Sequence, residues 1–207
     1  MSESSRFWDW IAKRYAKTPV ADEAAYQTKL QVTRDYLRPD MEVLEFGCGT
    51  GSTAVAHAPN VKHIQAIDIS AKMVAIAQEK VAANNITNVT LEQSSISEFT
   101  AHDQTFDAVF GLSILHLLND REAAIAKVYK MLKPGGVFVS RTACLGGTMP
   151  ILSIILRMGR FLGLLPLVRF FTKKELEDNL TDAGFHIDHL WQPGEDKAVF
   201  IVAKKPG

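Results

Sequence analysis

Along the first forty residues the apolar positions recur every three or four places; beyond them, short apolar runs alternate with amphipathic stretches. Phe7, Trp8, Ile11 and Tyr15 share one helical face, Thr18-Pro19 interrupts the pattern, and Asp22 to Leu37 resumes it until Pro39-Asp40. Five strands are then expected at Glu42–Phe46, His63–Ile67, Val89–Leu91, Phe106–Gly111 and Val137–Ser140. Helices are predicted between them: one from about Ser52, one capped by Ser70 and running to about Asn84, and one over Arg121–Leu132. Lys133-Pro134-Gly135-Gly136 reads as a turn. Such alternation predicts right-handed βαβ units, hence a mostly parallel sheet with helices on both faces.

The tail breaks that rhythm. Thr172 is the expected N-cap of a helix to Ala183, with Glu175 completing a capping box and Gly184 ending it. Phe185–Trp191 and Ala198–Ala203 read as closing strands joined by Gln192-Pro193-Gly194-Glu195-Asp196. So short a connection cannot join parallel strands, so an antiparallel hairpin is expected.

Composition narrows the class. The 207 residues are 47% apolar and 22% charged with zero formal net charge. That supports one domain with a sizeable core, without the basic excess of a dedicated nucleic-acid binder. The two cysteines, Cys48 and Cys144, form no CxxC pair, from which a reduced, cytoplasmic setting is expected. Met1–Trp10 has no apolar signal-like core, and no uncharged apolar run reaches the roughly 18 residues of a membrane span. His57, His63, His102, His186 and His189 lack HxxxH or HxH spacing, so no metal site is expected.

The chemistry concentrates at Glu45-Phe46-Gly47-Cys48-Gly49-Thr50-Gly51, between a predicted strand and a predicted helix. Glycines permit a sharp turn and close approach of backbone to a ligand, while the helix N-terminus offers free N–H groups. A plain strand–helix turn is the simplest alternative. A nicotinamide or flavin site is another, because Gly49-Thr50-Gly51-Ser52-Thr53-Ala54 fits G-x-G-x-x-A. Glu45 argues against the latter: a carboxylate there repels a pyrophosphate and suits an ammonium group. Asp68 ends the next strand, where it can take two ribose hydroxyls under either reading.

Four segments carry a family resemblance. Val43 to Gly51 resembles motif I of the class I S-adenosylmethionine (SAM)-dependent methyltransferases, and Ala66-Ile67-Asp68-Ile69-Ser70 with Met73 resembles the next motif. Phe106-Asp107-Ala108-Val109-Phe110 and Met131-Leu132-Lys133-Pro134-Gly135-Gly136 resemble the fourth-strand motif and the turn before strand five. Together they span about residues 41–142 in the family's order, and small bacterial ubiquinone/menaquinone-type enzymes look most similar. The resemblance implies a Rossmann-like α/β fold with a seven-stranded, mostly parallel sheet and a C-terminal antiparallel hairpin. It implies SAM as cofactor, held by Glu45, Gly47, Cys48, Gly49, Gly51, Asp68, Ile69, Met73, Ser95, Ile96 and Leu112. Ser95 is a departure: it stands where the family usually has an Asp that binds the adenine amino group, so packing by Ile69 and Ile96 is expected to matter more.

Methyl transfer needs alignment above all, and a base only where the acceptor must lose a proton. His116, just past strand four, is the candidate base or acceptor contact; a histidine packed beneath the cofactor is the alternative. Trp8, Trp10 and Tyr15 read either as a core stripe or as a cap over the cofactor. One domain over 1–207 is expected, with 1–38 as N-terminal helical cap and 145–171 as an apolar, basic insertion. From Ala123 to Lys174 the chain has no Asp or Glu, while Lys and Arg occur throughout. A helix is expected over Pro150–Leu162, with Arg157 and Arg160 on one narrow face and available to an acidic substrate group. It reads as a lid over a lipophilic acceptor, an oligomer interface or a membrane-surface contact; monomer and homodimer stay open. The expected partner is a small-molecule acceptor, with no nucleic acid. Rival functions are an NAD(P)-dependent oxidoreductase, which would lack the Tyr-x-x-x-Lys pair, and a non-catalytic protein of the same fold.

Overall fold

The computed structural model describes residues 3–144, 146, 167–194 and 197–207. The helix expected over 150–162, with Arg157 and Arg160, lies outside the described residues, as do positions 195 and 196 of the hairpin loop. Two helices lead, α1 (Glu3–Lys17) and α2 (Glu23–Arg34). Then come β1 (Glu42–Phe46), α3 (Ser52–His57), β2 (His63–Asp68), α4 (Ala71–Ala83), β3 (Val89–Gln93), β4 (Phe106–Leu112), α5 (Arg121–Met131) and β5 (Leu132–Thr142). After the undescribed stretch come α6 (Lys173–Asp182), β6 (His186–Trp191) and β7 (Val199–Lys204).

The helix starts follow local chemistry. Side-chain oxygens of Asp22, Ser70 and Asp120 accept from the backbone N–H of Ala25, Met73 and Ala123. Each satisfies a donor that the first helical turn leaves free. Thr172 and Glu175 form the expected capping box at α6. The helix expected to reach Leu37 ends at Arg34, and tighter turns carry Tyr36 and Leu37 on to β1.

The sheet order is β3-β2-β1-β4-β5-β7-β6. The first five strands pair in parallel; β7 is antiparallel to both β5 and β6. This is the expected α/β class with its antiparallel hairpin. Strand order reverses between β1 and β4, and the crevice above the C-terminal ends of such neighbouring strands is where open α/β sheets bind ligands.

Both faces of the sheet are apolar, as a sheet covered on both sides requires. Leu44, Phe46, Val109 and Phe138 join Ile125 and Val128 of α5 and Leu176 and Leu180 of α6 in one buried cluster. Val43, Ala108, Phe110, Val139 and Phe200 join Ala54 of α3 in another. Adjacent residues of β1 and β4 thus serve opposite layers. Each fully buried Phe contributes about 1.5–3 kcal/mol. Phe46 and Phe138 stack with centroids 6.2 Å apart. Gly111 makes room for them, because a Cβ there would lie 2.6 Å from Phe46 Cζ.

Lys133–Gly136, read above as a turn, is absorbed into β5. Phe106 pairs with Leu132 but Ala108 pairs with Val137, so those four residues loop out of register. Their backbone is captured by the C-terminal end of the chain: Gly135 N–H donates to Lys205 O (3.0 Å), and Lys205 N–H donates to Gly136 O (2.8 Å).

Candidate cofactor and acceptor site

Two neighbouring cavities open at the C-terminal edge of β1, β2, β4 and β5. The smaller, of about 120 Å³, is walled by Trp8 and Tyr15 of α1, Gly47, Gly49, Asp68, Ile69, Met73, Ser95, Ile96 and Leu112, among others. The larger, of about 880 Å³, lies towards α2 and the C-terminal hairpin and includes Lys29, Glu45, Cys48, His57, Arg141 and Trp191. Tyr15, Gly47, Gly49, Leu112 and Ser113 belong to both. Those five residues mark the passage where the cavities meet.

The glycine loop is shaped by close approaches. At Gly47 φ is +67° and a Cβ would lie 2.7 Å from Ile114 Cγ1. At Gly51 φ is +74° and a Cβ would meet Ala77 Cβ of α4 at 2.9 Å. Side chains are disfavoured at both positions, by conformation and by space. Gly51 lines neither cavity; its visible work is to let α3 begin against α4.

Asp68 is fastened by its neighbours. Its Oδ2 accepts from Gly49 N–H (2.8 Å) and its Oδ1 from Ser70 N–H (2.9 Å). Burial nevertheless holds its carboxyl above the usual range. The Ile69 backbone also hydrogen-bonds to this carboxylate, and its remaining acceptor capacity is available to a hydroxyl in the smaller cavity. Ser95 lines that cavity too, but its Oγ is committed locally: it donates to Glu98 Oε2 (2.7 Å), lies 2.9 Å from Ser97 Oγ and accepts from Glu98 N–H (3.2 Å). Ile69, Met73 and Ile96 supply the apolar wall.

Glu45 is 2% exposed, at the end of β1. Thr53 and the Ala54 amide hydrogen-bond to it, yet burial and the nearby Asp68 push its carboxyl up to about 8. Its Oε2 has no partner among the described residues. A buried carboxylate oxygen in this position asks for a cation.

Helix α1 reaches the site through Asp9, whose Oδ1 accepts from Ser70 Oγ (2.6 Å) and Lys72 N–H (3.1 Å) at the start of α4. Trp8 and Tyr15, packed edge to face with centroids 6.3 Å apart, wall the smaller cavity, whereas Trp10 is 75% exposed. Of the three aromatics considered for a cap, two are in place.

His116 sits on a short turn (Leu115–Leu117) beyond β4 and lines neither cavity. Burial and nearby Arg141 depress its pKa to about 4, so the ring is neutral at pH 7. The Cys48 thiol is pushed well up by burial and Cys144 to about 11, so neither is a thiolate at neutral pH. Sequence reading missed Lys29, Arg141 and the inward position of His57. Nothing in the local pattern around these residues marks a pocket; the sheet and α2 bring them together.

Residues 43–136 match the family model of a methyltransferase domain. The chain is 29% identical over 150 residues to demethylmenaquinone methyltransferase of Symbiobacterium thermophilum, covering 69% of this chain and 58% of that one. It is 32% identical over 131 residues to the enzyme of the same name from Lactiplantibacillus plantarum, covering 60% and 51%. The chain thus spans little more than half the length of these relatives. The solved structure of Haemonchus contortus phosphoethanolamine N-methyltransferase 2 in complex with SAM superposes with a TM-score of 0.74 at 16% identity, over 88% of this chain and 53% of that one.

The residues present fit SAM, the ligand named in that solved complex. The unpartnered Glu45 Oε2, which lines the larger cavity, suits its ammonium, the remaining acceptor capacity of Asp68 suits its ribose hydroxyls, and the slot lined by Ile69, Met73 and Ile96 suits its adenine. Tyr15 borders the passage where a sulfonium would lie beside an aromatic face.

Proposed function

We propose that this protein transfers a methyl group from SAM to a small lipophilic or amphiphilic acceptor, such as a quinone or phenol, a thiol or a lipid headgroup, by in-line displacement. The observation that carries the reading is the meeting of the two cavities at Tyr15, Gly47, Gly49, Leu112 and Ser113. The smaller cavity suits the donor's nucleoside, the larger one takes its ammonium at Glu45 and leaves the remaining space to the acceptor, and the passage between them is lined largely by small or backbone groups.

Bound SAM supplies the electrophilic methyl on its sulfonium. The chain supplies alignment: Glu45 and Asp68 hold the two polar ends, and Tyr15 closes one side and sheds water. For acceptors that must lose a proton, His116 is the base in this proposal: its neutral imidazole is the form required and, because the ring lines neither cavity, it acts through a bridging water. Replacing His116 by Gln is expected to lower kcat while leaving S-adenosylhomocysteine affinity intact; an unchanged kcat removes His116 from the chemistry. Helix α1 acts as the cap. Two free thiols, Cys48 and Cys144, support a cytoplasmic setting; no helix among the described residues is long and apolar enough to cross a membrane.

The test is incubation with deuteromethyl-SAM and a metabolite extract, read by mass spectrometry, beside a thermal-shift panel. Stabilisation by S-adenosylhomocysteine but not NAD(H), together with a deuteromethylated product, is the expected result. Stabilisation by NAD(H) alone would overturn the reading in favour of an oxidoreductase. Binding without any product would leave a non-catalytic member of the fold.

A further inference from the structure

The larger cavity holds two cations, Lys29 and Arg141, neither of which forms an ion pair among the described residues. Lys29, on the inner side of α2, is half-buried, and among the described residues it makes no ion pair and no side-chain hydrogen bond. Arg141, near the end of β5, is also half-buried; its one described side-chain hydrogen bond runs from Nη1 to the neutral Ser113 Oγ (2.5 Å). Desolvation weighs on both; together with the charge of Arg141 it pushes Lys29 down to about 8, against a smaller upward pull from Asp22.

Asp22 and Glu23 of the same cavity are engaged elsewhere. Asp22 Oδ1 accepts from Ala25 N–H at the start of α2 (2.9 Å), and Glu23 Oε1 accepts from Gln27 Nε2 (2.7 Å). Glu45 lines this cavity too, with its carboxyl pushed up to about 8 by burial and Asp68. Aromatic groups from three elements complete the wall: Tyr26 of α2, Trp191 of β6 and Phe200 of β7. His57 of α3 lines it as well, its ring kept neutral with a pKa near 4 and neither nitrogen partnered.

Leaving two mutually repelling cations half-desolvated costs stability, and a bound anion would offset that cost. A guanidinium with one hydrogen bond spent still offers a flat fork to a carboxylate, and an ammonium beside it adds charge. We propose that Lys29 and Arg141 form the anion-recognition pair of the acceptor cavity, so that the acceptor carries a carboxylate or similar anionic group on an aromatic or otherwise flat apolar body. This inference rests on the methyltransferase reading above and narrows it. The passage to the cofactor starts beside Ser113, so an acceptor anchored by Arg141 lies within reach of the methyl group.

A carboxylate also occurs on the cofactor's own methionine end, and the test separates the two sources. The protein is loaded with S-adenosylhomocysteine. Matched probes are then titrated in by calorimetry: 4-hydroxybenzoate, 3-(4-hydroxyphenyl)propionate and indole-3-acetate, each against its uncharged amide. Acids are expected to bind about tenfold or more tighter than amides, the effect of one productive charge contact. Lys29→Met and Arg141→Gln are expected to erase that preference, and Lys29→Arg to keep it, with S-adenosylhomocysteine affinity within about twofold of wild type in all three. Acid affinity is further expected to fall as the pH rises above 8, where Lys29 loses its proton, with Arg141 and Asp22 as the charges facing it.

Equal binding of acids and amides, or no binding of any probe, overturns the proposal. So does a tenfold or greater loss of S-adenosylhomocysteine affinity in the variants, which would assign the pair to the cofactor's carboxylate. Failure of the wild type to bind S-adenosylhomocysteine would instead sink the methyltransferase reading itself.

Discussion

Glutamine at position 45 is expected to make the ligand-free protein more stable and a worse binder. Burial, helped by Asp68, lifts the Glu45 carboxyl from 4.5 to about 8. An acid whose folded pKa lies above its unfolded one favours folding fully only below the unfolded value. Stability therefore declines as pH rises from 4.5 towards 8 and levels off beyond. At pH 7 those two values amount to about 3 kcal/mol of destabilisation. Glu45→Gln keeps the shape and removes the titration, so the apparent Tm at pH 7 should rise by roughly 6–12 °C for a chain of this size. The same change removes a charge-assisted contact to the cofactor's ammonium, worth about 2–3 kcal/mol, or roughly 30- to 150-fold in affinity. A second readout is proton release. Wild-type Glu45, mostly protonated at pH 7, must ionise to meet the ammonium, which expels about 0.9 proton per ligand bound. Calorimetry with S-adenosylhomocysteine in buffers of different ionisation enthalpy measures that number directly. If the variant melts no higher than wild type and the binding enthalpy ignores the buffer, Glu45 is already charged and paired in the free protein and the argument is wrong.

Three further outcomes follow from the packing. Gly51→Ala forces a Cβ to within 2.9 Å of Ala77 Cβ at φ +74°; urea unfolding should show a loss of about 1–3 kcal/mol, and a neutral result would show that α4 yields easily. Asp9→Ala removes the acceptor for Ser70 Oγ and Lys72 N–H. S-adenosylhomocysteine affinity should then drop by about three- to tenfold with little change in global stability, and unaltered affinity would deny α1 a capping role. Thr172→Ala dismantles the capping box of α6 and should cost about 1 kcal/mol in the same urea assay.

The sheet and most of the donor cavity were legible in the chain because their signals are local. Strand β1, the glycine loop and α3 are contiguous, and Asp68 ends a strand whose partner is fixed by the parallel order. Caps at Ser70 and Thr172 carry their own signature within four residues. Lys133–Gly136 was misread as a plain turn for the opposite reason: its hydrogen-bond partner, Lys205, is distant in sequence. Acceptor-side groups were invisible on the same grounds. Lys29 looks like any polar position of an amphipathic helix, and Arg141 like the polar end of a strand, until α2 and β5 are set side by side. Attention drawn to Arg157 and Arg160 by the acid-free stretch passed over Arg141, which belongs to that stretch as well. Ser113, in a left-handed conformation at φ +60°, had no sequence mark at all.

The passage between the cavities has an evolutionary consequence. Two of its five residues are glycines, and at Gly49 a side chain would project into open space bounded only by Tyr15, 4.0 Å away. A larger residue there would plug the channel between donor and acceptor, so this stretch is barred from exploring new specificities. The residues of α2 and of the β6–β7 hairpin bear no such restriction, since they touch the outer cavity alone. Descendants of this scaffold can therefore acquire new acceptors by remodelling that outer wall, while the methyl-donor socket is inherited unaltered.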